Sequence, residues 1–243
     1  MSMKRCGLSS PEKNSGRKRC ETFTYYQIAI GFLKANVVRE SEVREIEAPP
    51  NLRSFFQGKP PSLRCRGDPT ILDHPLLGII SARQIDSDLS LKSAQLLKQL
   101  GSLGDVCFVG GWHSPLEDEA LRVLLAHEPS IIFCVSKSLD RFSPSLEVES
   151  RVSQGAALLL THCTPKAERI TRDASMRRNE LVVELAKAVL VLSAPEGSAS
   201  LKLARSALAR GKPVHTLEHR LNKDLLIAGA VPATLDTIKE ALR

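Results

Sequence analysis

The sequence predicts an α/β fold in which a parallel sheet carries helices on both faces. Six short apolar runs follow Pro75, at residues 76–80, 106–111, 130–135, 156–160, 188–192 and 213–217. Continuous apolar runs of this length are typical of strands that are buried on both faces. Amphipathic segments separate the runs, and strands that alternate with helices form right-handed βαβ units. We therefore expect a Rossmann-like parallel sheet with helices on both faces.

Three of the intervening segments carry the residues that begin and end helices. An amphipathic stretch over 86–101 begins with acidic and serine capping residues and ends in glycine. Ser114 and Glu117 form a capping box around Pro115, which favours the first helical position. The third stretch runs from Ser198 to Arg210, with leucine and alanine on its inner face. Each segment predicts one helix between two strands.

Composition and punctuation divide the chain into three parts. Of the 243 residues, 42% are apolar, which is ample for a buried core. We expect a basic disordered tail over 1–21, a helical appendage with a Pro-rich linker over 22–58, and the Rossmann-like domain over 59–243. No segment approaches the roughly 20 consecutive apolar residues of a membrane span, and the basic N-terminus has no apolar signal stretch. We therefore expect a cytoplasmic protein without a membrane partner.

The six cysteines predict reduced structural thiols rather than a disulfide framework. Cys107 and Cys134 lie inside apolar runs, where a thiol packs as a small hydrophobic group. The sequence contains no C-x-x-C pair. Reduced thiols agree with a cytoplasmic protein, because disulfides are rare in that compartment.

The positive charge is concentrated in the first 20 residues. They hold six Lys or Arg residues against the single acid Glu12, and so carry +5 of the net charge of +7. A basic segment of this kind attracts the phosphates of nucleic acid, although short basic tails are also often only solvated. Both readings of the tail stay open at this point.

The carboxyl ends of the predicted strands carry a candidate phosphate-binding crevice, because ligands of parallel α/β sheets bind beyond these ends. A helix that begins after a glycine presents unpaired N–H groups and its positive dipole end to a ligand. Gly197 and Ser198 begin such a helix, and we expect the segment 177–179 to begin the preceding helix. The predicted phosphate-binding residues are Ser81, Ala82, Arg83, Gly110, Gly111, Arg177, Arg178, Asn179, Gly197 and Ser198.

Structural roles are open for several of these residues. Arg178 can instead pair with Glu180 or Glu184, and Ser198 can serve as a helix cap alone. Trp112 follows the double glycine, where its ring either stacks on a base or lies buried under the next helix. His113 is added to the binding set. It has no Ser, Cys or Asp partner at catalytic spacing, so we expect no catalytic residue and a binding protein rather than an enzyme.

Signatures of metal and nucleotide cofactors are missing from the sequence. If the segment is extended, His215 and His219 are about 13 Å apart, too far for one zinc ion. The chain has no G-x-x-x-x-G-K-[ST] motif and no G-x-G-x-x-G after the first predicted strand. We therefore expect no metal and no cofactor.

The order of these motifs resembles that of the DprA/Smf family of DNA-processing proteins, over roughly residues 60–232. The matching passages are Pro60-Pro61-Ser62-Leu63 through Arg66-Gly67-Asp68, Ile79-Ile80-Ser81-Ala82-Arg83, Phe108-Val109-Gly110-Gly111, Arg177-Arg178-Asn179, Gly197-Ser198, Gly211-Lys212-Pro213-Val214, and Leu225-Leu226-Ile227-Ala228-Gly229-Ala230. The resemblance implies an extended Rossmann fold that binds single-stranded DNA and loads a RecA-type recombinase. We also expect a homodimer.

Two departures from the family pattern affect the predicted site. Ser81 and Ala82 stand where the family has Gly and Ser, so the backbone is less open to a phosphate, although Arg83 is retained. The segment 112–117 replaces the family's Ala-Arg-Gly-Ile-Asp, and a phosphate-binding Arg is lost with it. Nucleic-acid or nucleotide binding is therefore a firmer expectation than recombinase loading.

Two other functional classes compete with DNA binding. The first is a nucleotide sensor or hydrolase, because the same Rossmann-like superfamily resembles the cytokinin-activating phosphoribohydrolases. In that case Glu196 would have to supply the catalytic carboxylate. The second is a dimeric scaffold with a degenerate crevice, which the serine at position 81 favours. A nucleotide ligand thus stays open beside single-stranded DNA.

Deletion of residues 1–20 is predicted to weaken oligonucleotide binding and to flatten its dependence on salt, because fewer counterions are released. The measurement is fluorescence anisotropy at two or more salt concentrations, with thermal unfolding as the check that the fold survives. An unchanged affinity and salt slope would show that the tail is only solvated.

Overall fold

The computed structural model describes residues 42–56 and 62–243. These residues form a nine-stranded sheet with helices on its two faces. We number the strands in chain order. They are β1 (Arg44–Glu47), β2 (Ser62–Gly67), β3 (Leu76–Ile80), β4 (Cys107–Gly110), β5 (Ser130–Val135), β6 (Ala157–Thr161), β7 (Ala188–Val191), β8 (Val214–Thr216) and β9 (Val231–Pro232).

Helices occupy most of the connections between these strands. They are α1 (Arg53–Phe56), α2 (Ser87–Gly101), α3 (Pro115–Leu125), α4 (Leu146–Ser153), α5 (Arg172–Leu185), α6 (Ala199–Ala209), α7 (Lys223–Ile227) and α8 (Leu235–Leu242). Short 3-10 turns at Pro50–Leu52, Pro69–Asp73, Leu139–Arg141 and Arg220–Asn222 complete the connections.

The strands lie in the order β1-β2-β6-β5-β4-β3-β7-β8-β9. All pairs from β6 to β9 are parallel, whereas β1 pairs with β2 and β2 with β6 in antiparallel fashion. The chain thus builds the sheet from β3 outward to β6, then returns through α5 and continues on the other side of β3 with β7. This reversal beside β3 is the topological switch point of the sheet.

Two apolar layers cover the two faces of the sheet, as the sequence predicts. Apolar residues of α5, α6 and α7 pack against one set of strand residues, and those of α2, α3, α4 and α8 pack against the alternate set. Strands β3, β4, β7 and β8 are buried at every position. The α/β class, the six predicted strands and helices on both faces are confirmed.

The predicted helix caps are confirmed in atomic detail. The side chain of Asp86 accepts the N–H of Asp88, and that of Ser198 accepts the N–H of Leu201. Ser114 and Glu117 form the complete capping box at the start of α3. These interactions span two or three residues, which is why the local sequence predicts them.

The helix expected to begin at residues 177–179 begins earlier, and that prediction is wrong. Helix α5 starts at Arg172, and its cap is Thr171, whose side chain accepts the N–H of Ala174. Arg177, Arg178 and Asn179 therefore lie in the second turn, away from the unpaired N–H groups of the helix start. The Thr cap, and not the arginine pair, determines where the helix begins.

Two antiparallel strands extend the sheet beyond the predicted parallel core. Strand β2 alternates partly buried and buried residues, with Arg64 and Arg66 outside and Leu63 and Cys65 inside, so it lacks a continuous apolar run. Strand β1 pairs with it from Arg44, and thus before residue 59, where the sequence places the start of the domain. The predicted tail and most of the predicted appendage lie outside the described residues.

Leu52 and Phe55 join the apolar layer on the α5 side, so the segment that carries them packs against α5. The described cysteines, Cys65, Cys107, Cys134 and Cys163, are buried free thiols.

None of the helices in the described ranges is long and apolar enough to cross a membrane.

Gly67 lies close against the backbone of β6, and its replacement by alanine is predicted to be strongly destabilising. Its φ is +110°, and an added Cβ would lie 2.5 Å from the carbonyl oxygen of Ala157. We expect Gly67→Ala to lower the free energy of unfolding by about 3 kcal/mol or more, measured by urea denaturation.

Gly155 is the matched control, since its φ is +70° and nothing lies within 4 Å of an added Cβ. Gly155→Ala should cost only the left-handed backbone penalty of about 1 kcal/mol. Equal losses for the two variants would contradict the close contact at Gly67.

Candidate functional site

The candidate site lies at the switch point, where the loops that follow β3, β4 and β7 meet. Ligands of open α/β sheets bind in the crevice that forms at this position. The three loops contain residues 81–86, 111–114 and 192–198. All three predicted strand-end motifs are thus brought to the same edge of the sheet.

The loop after β3 is tied to the loop after β7 by two hydrogen bonds. The N–H of Ala82 donates to the carbonyl of Ser193 over 2.8 Å. The hydroxyl of Ser193 in turn donates to the carbonyl of Gln84, also over 2.8 Å. Between these anchors, Arg83 is exposed, and it has no ion-pair partner in the described part of the chain. Arg83 is therefore a rim cation on a fixed loop.

The loop after β4 is organised by Glu117, for which the sequence predicts only a capping role. Its carboxylate accepts the N–H of Ser81 over 2.9 Å, that of His113 over 2.9 Å and that of Ser114 over 3.2 Å. The residue is only 3% exposed. One buried carboxylate thus joins the loops after β3 and β4.

Trp112 is buried, which decides between the two roles open for it. Its side chain is 6% exposed, its indole N–H donates to the carbonyl of Ile132 over 3.1 Å, and its ring lies 5.9 Å from that of Phe133. Its φ of +56° is unusual for a bulky residue. A ring held inside the core presents no face to a base, so Trp112 is a structural residue here.

Gly110 and Gly111 are required for packing rather than for open access to a phosphate. An added Cβ on Gly110 would lie 2.8 Å from the ring of Trp112. An added Cβ on Gly111 would lie 2.3 Å from the guanidinium of Arg178. The space beside both glycines is filled by side chains of the protein itself.

Arg178 is buried behind the loop after β4, which it supports, and it does not line the crevice. It is 5% exposed, and its Nη1 donates to the carbonyl of Gly111 over 3.1 Å. Its Nε has no hydrogen-bond partner among the described residues. Burial lowers the pKa of Arg178, and the negative charge of Glu117 opposes this effect. Arg178 is therefore a buried cation close to the switch point.

The alternative role of Arg178, pairing with Glu180 or Glu184, is not the one that the structure shows. Glu180 pairs with Arg177 over 2.8 Å, and Glu184 pairs with Arg210 over 2.7 Å. Successive residues of a helix point about 100° apart, so Arg177 and Arg178 serve different surfaces.

Arg177 holds the N-terminal segment against α5. Its guanidinium donates to the carbonyl of Phe55 over 2.6 Å and lies 3.9 Å from the centre of the Phe55 ring. Asn179 is half-buried on the same helix. Of the three residues in the Arg-Arg-Asn motif, only Arg178 reaches the loops of the switch point.

Lys137 adds a positive charge to the exposed side of the crevice, and His113 adds an imidazole that becomes positive only when it is protonated. His113 is exposed, and Lys137 is partly exposed in the loop after β5. Packing against the protein lowers the pKa of His113, and the positive charges of Arg178 and Lys137 lower it further. Sequence reasoning missed Lys137, although a basic residue just after an apolar strand is the same signal that identified Arg83.

The start of α6 is open to a ligand. Gly197 is exposed with a φ of +75°, and nothing lies within 4 Å of an added Cβ. The Ser198 side chain caps the N–H of Leu201, and the earlier N–H groups of this first turn have no partner within the helix. Ser198 is thus a cap, and its position leaves backbone donors facing the crevice.

Asn222 fixes the loop that carries Gly197, and sequence reasoning missed it as well. Its side-chain amide donates to the carbonyls of Leu192 and Leu217, each over 3.1 Å, and its oxygen accepts the N–H of Ala194 over 2.8 Å. The residue is fully buried. No local motif surrounds it, so only the structure reveals that it joins the loop after β7 to the loop after β8.

The two histidines considered as metal ligands lie in different environments. His215 is buried within β8, and burial lowers its pKa. The Nε2 of His219 lies 3.3 Å from the carboxylate of Asp86, and its Nδ1 accepts the N–H of Leu221. In the described ranges, no cluster of His, Cys, Asp and Glu residues has the arrangement of a metal site.

His162 follows β6, and it is predicted to destabilise the protein in acid. Burial, with the charges of Arg177 and Arg178, lowers its pKa from 6.5 to about 4. Above pH 6.5 the residue is neutral in both states. As the pH falls from 6.5 towards 4, the unfolded chain binds the proton first, so stability is lost, by at most about 3 kcal/mol.

We expect His162→Phe, which retains the edge contact with Phe55, to reduce this loss, measured by urea unfolding between pH 7 and 4. His113 and His215, whose pKa values are also lowered by burial, contribute to the remaining loss, and Asp86 and Asp140, whose pKa values their arginine partners lower, contribute near pH 4. His74→Phe, at an exposed position, is the control. A pH profile that His162→Phe leaves unchanged would contradict the assignment.

Comparison with known proteins gives a family match over most of the chain. The model of the DNA recombination-mediator protein A family matches residues 43–231. No curated protein sequence matches the chain significantly.

Solved structures share the fold at low sequence identity. DNA processing protein A from Helicobacter pylori, described in its single-stranded DNA binding mode, has 23% identity and a TM-score of 0.66, covering 83% of this chain and 94% of that chain. The Streptococcus pneumoniae protein has 18% identity and a TM-score of 0.70, covering 93% and 83%. A molybdenum cofactor binding protein from Rippkaea orientalis has 19% identity and a TM-score of 0.50, covering 70% and 98%.

The two DNA processing structures confirm the Rossmann-like fold, and the family match confirms the resemblance seen in the motifs. Since the family model spans residues 43–231, this chain belongs to the DNA recombination-mediator protein A family.

Proposed function

We propose that this chain is a binding protein for single-stranded DNA that acts in DNA uptake, recombination or processing. The observation that carries the proposal is the rim of the switch-point crevice, formed by Arg83, His113, Lys137 and the start of α6 at Gly197 and Ser198. Family membership supports it, and the related H. pylori protein is described as binding single-stranded DNA.

The rim offers three kinds of phosphate contact. Arg83 supplies an exposed guanidinium, which forms charge-assisted hydrogen bonds with phosphate oxygens. The first turn of α6 supplies backbone N–H groups at the positive end of the helix dipole. Lys137 supplies a point charge. Contacts of this kind recognise the sugar-phosphate backbone and not the base sequence.

His113 makes the rim responsive to pH. Its lowered pKa keeps it neutral near pH 7 in the free protein. A bound phosphate favours the charged imidazolium and therefore raises this pKa. Affinity for DNA is accordingly expected to rise as the pH falls towards the pKa of free His113.

Three finer statements belong to the same proposal. A RecA-type recombinase is the partner we propose, and the description of the family as recombination mediators supports it. A homodimer is proposed beside it. A cytoplasmic location is supported by the four buried free thiols of the described residues. A mononucleotide ligand remains the competing candidate, and it becomes an arm of the binding experiment.

Arg83→Ala is predicted to weaken single-stranded DNA binding by about 1–3 kcal/mol at low salt, the contribution of a charge-assisted hydrogen bond. The measurement is fluorescence anisotropy with single-stranded and duplex oligonucleotides and with a labelled mononucleotide. The melting temperature should hardly change, because Arg83 is exposed.

Arg210→Ala is the matched control. It also removes one exposed guanidinium, but at the end of α6 that is distant from the crevice, where Arg210 pairs with Glu184. Arg178→Ala should instead lower the free energy of unfolding by about 1–3 kcal/mol, since it leaves the Gly111 carbonyl unpaired. Equal DNA affinities for the Arg83 and Arg210 variants would overturn the proposed site, and mononucleotide binding without DNA binding would favour the competing candidate.

A further inference from the structure

We infer that the Glu117 carboxylate occupies an anion-binding nest at the switch point and thereby excludes small phosphate ligands from it. The nest consists of the N–H groups of Ser81, His113 and Ser114, which converge on the two oxygens of Glu117 over 2.9, 2.9 and 3.2 Å. These donors come from two loops, those after β3 and β4. Converging backbone N–H groups at a helix start are the donors that phosphate ordinarily uses.

A helix cap alone does not account for this arrangement. The capping box requires only that Glu117 accept the N–H of Ser114. The N–H groups of Ser81 and His113 are additional donors, and Ser81 is 36 residues away along the chain. Glu117 therefore satisfies a set of donors that is larger than the one its own helix presents.

Backbone conformation contributes to the nest. Trp112 adopts a φ of +56°, and its buried indole is held by the carbonyl of Ile132. A residue in the left-handed region between residues of ordinary conformation turns successive N–H groups towards one point, which is the geometry of an anion nest. The strained residue thus aims the N–H groups of His113 and Ser114 at the carboxylate.

A buried positive charge lies beside the nest and is independent of the helix start. Arg178 is 95% buried, its Nη1 donates to Gly111 at the entrance to this loop, and its Nε has no partner in the described part of the protein. Its charge interacts with that of Glu117. The surroundings therefore combine backbone donors with a cation, and Glu117 supplies the anion from within the chain.

The inference deepens the proposed function and rests on it for one statement. If the crevice binds DNA, the phosphates contact the rim, at Arg83, Lys137 and the start of α6, while the nest stays closed. A terminal phosphate or a mononucleotide phosphate then has no place at the nest. Glu117 is on this basis a specificity-determining residue of the crevice.

The test replaces the carboxylate and asks whether inorganic phosphate takes its place. The thermal midpoints of the wild type and of Glu117→Ala are measured over a phosphate titration, with chloride at matched ionic strength as the reference. Glu117→Ala should melt lower without phosphate. It should then gain about 2–4 °C, saturably, when phosphate exceeds its dissociation constant several-fold. The wild type should gain nothing beyond the chloride reference.

Asp118→Ala is the matched control, because it removes a negative charge from the same turn of α3 while Asp118 pairs with Arg122 and not with the nest. It should show no gain specific to phosphate. Glu117→Ser, whose hydroxyl can still accept one N–H, is the second variant if the alanine variant does not fold.

Three results would overturn the inference. The first is a phosphate gain in the wild type equal to that of Glu117→Ala. The second is a folded Glu117 variant that gains nothing specific to phosphate. The third is failure of both variants to fold even in phosphate, since an external anion then does not replace the carboxylate. No DNA is used, so a wild type that fails to bind DNA would overturn the proposed function separately.

Discussion

The carboxyl edge of a buried parallel sheet imposes the constraint on which this structure depends. The backbone that leaves each strand carries N–H and C=O groups that need partners inside the protein. Glu117 accepts three such N–H groups, Arg178 donates to the Gly111 carbonyl, and Asn222 serves one N–H and two carbonyls. These three buried polar side chains fix the loops of the crevice, and removing any one of them leaves buried backbone groups unpaired.

The same constraint divides the polar groups of the crevice into those that support its loops and those that can contact a ligand. Side chains that satisfy the loops are buried and committed to intramolecular bonds, so they do not also bind a ligand. The groups left for a ligand are wholly or partly exposed and lie on the loops of this edge: Arg83, His113, Lys137 and the first N–H groups of α6. A phosphate approaching this edge meets donors that are already in position, and little ordering entropy is lost on binding.

Whether the role of a residue can be predicted from the sequence depends on how far along the chain its partner lies. Continuous apolar runs identified the parallel strands β3 to β8, and caps two or three residues long identified the starts of α2, α3 and α6, because both signals are local. Arg178 contacts Gly111 across 67 residues and Asn222 contacts Ala194 across 28, so no local pattern marks either role. Strand β2 was missed for another reason: one of its faces carries Arg64 and Arg66, and its period is that of a half-covered antiparallel strand.

Glycine shows most clearly why a motif does not by itself locate a ligand. The sequence treats Gly110-Gly111 and Gly197-Ser198 alike, as glycine loops at strand ends. An added Cβ at Gly110 or Gly111 would strike Trp112 or Arg178, so these glycines make room for the protein's own side chains. Gly197 instead combines a φ of +75° with open space. The backbone conformation at position 197 requires glycine, and the surface beside Gly197 is free. The accessible backbone donors of the crevice therefore lie on the β7 side of the switch point and not on the β4 side.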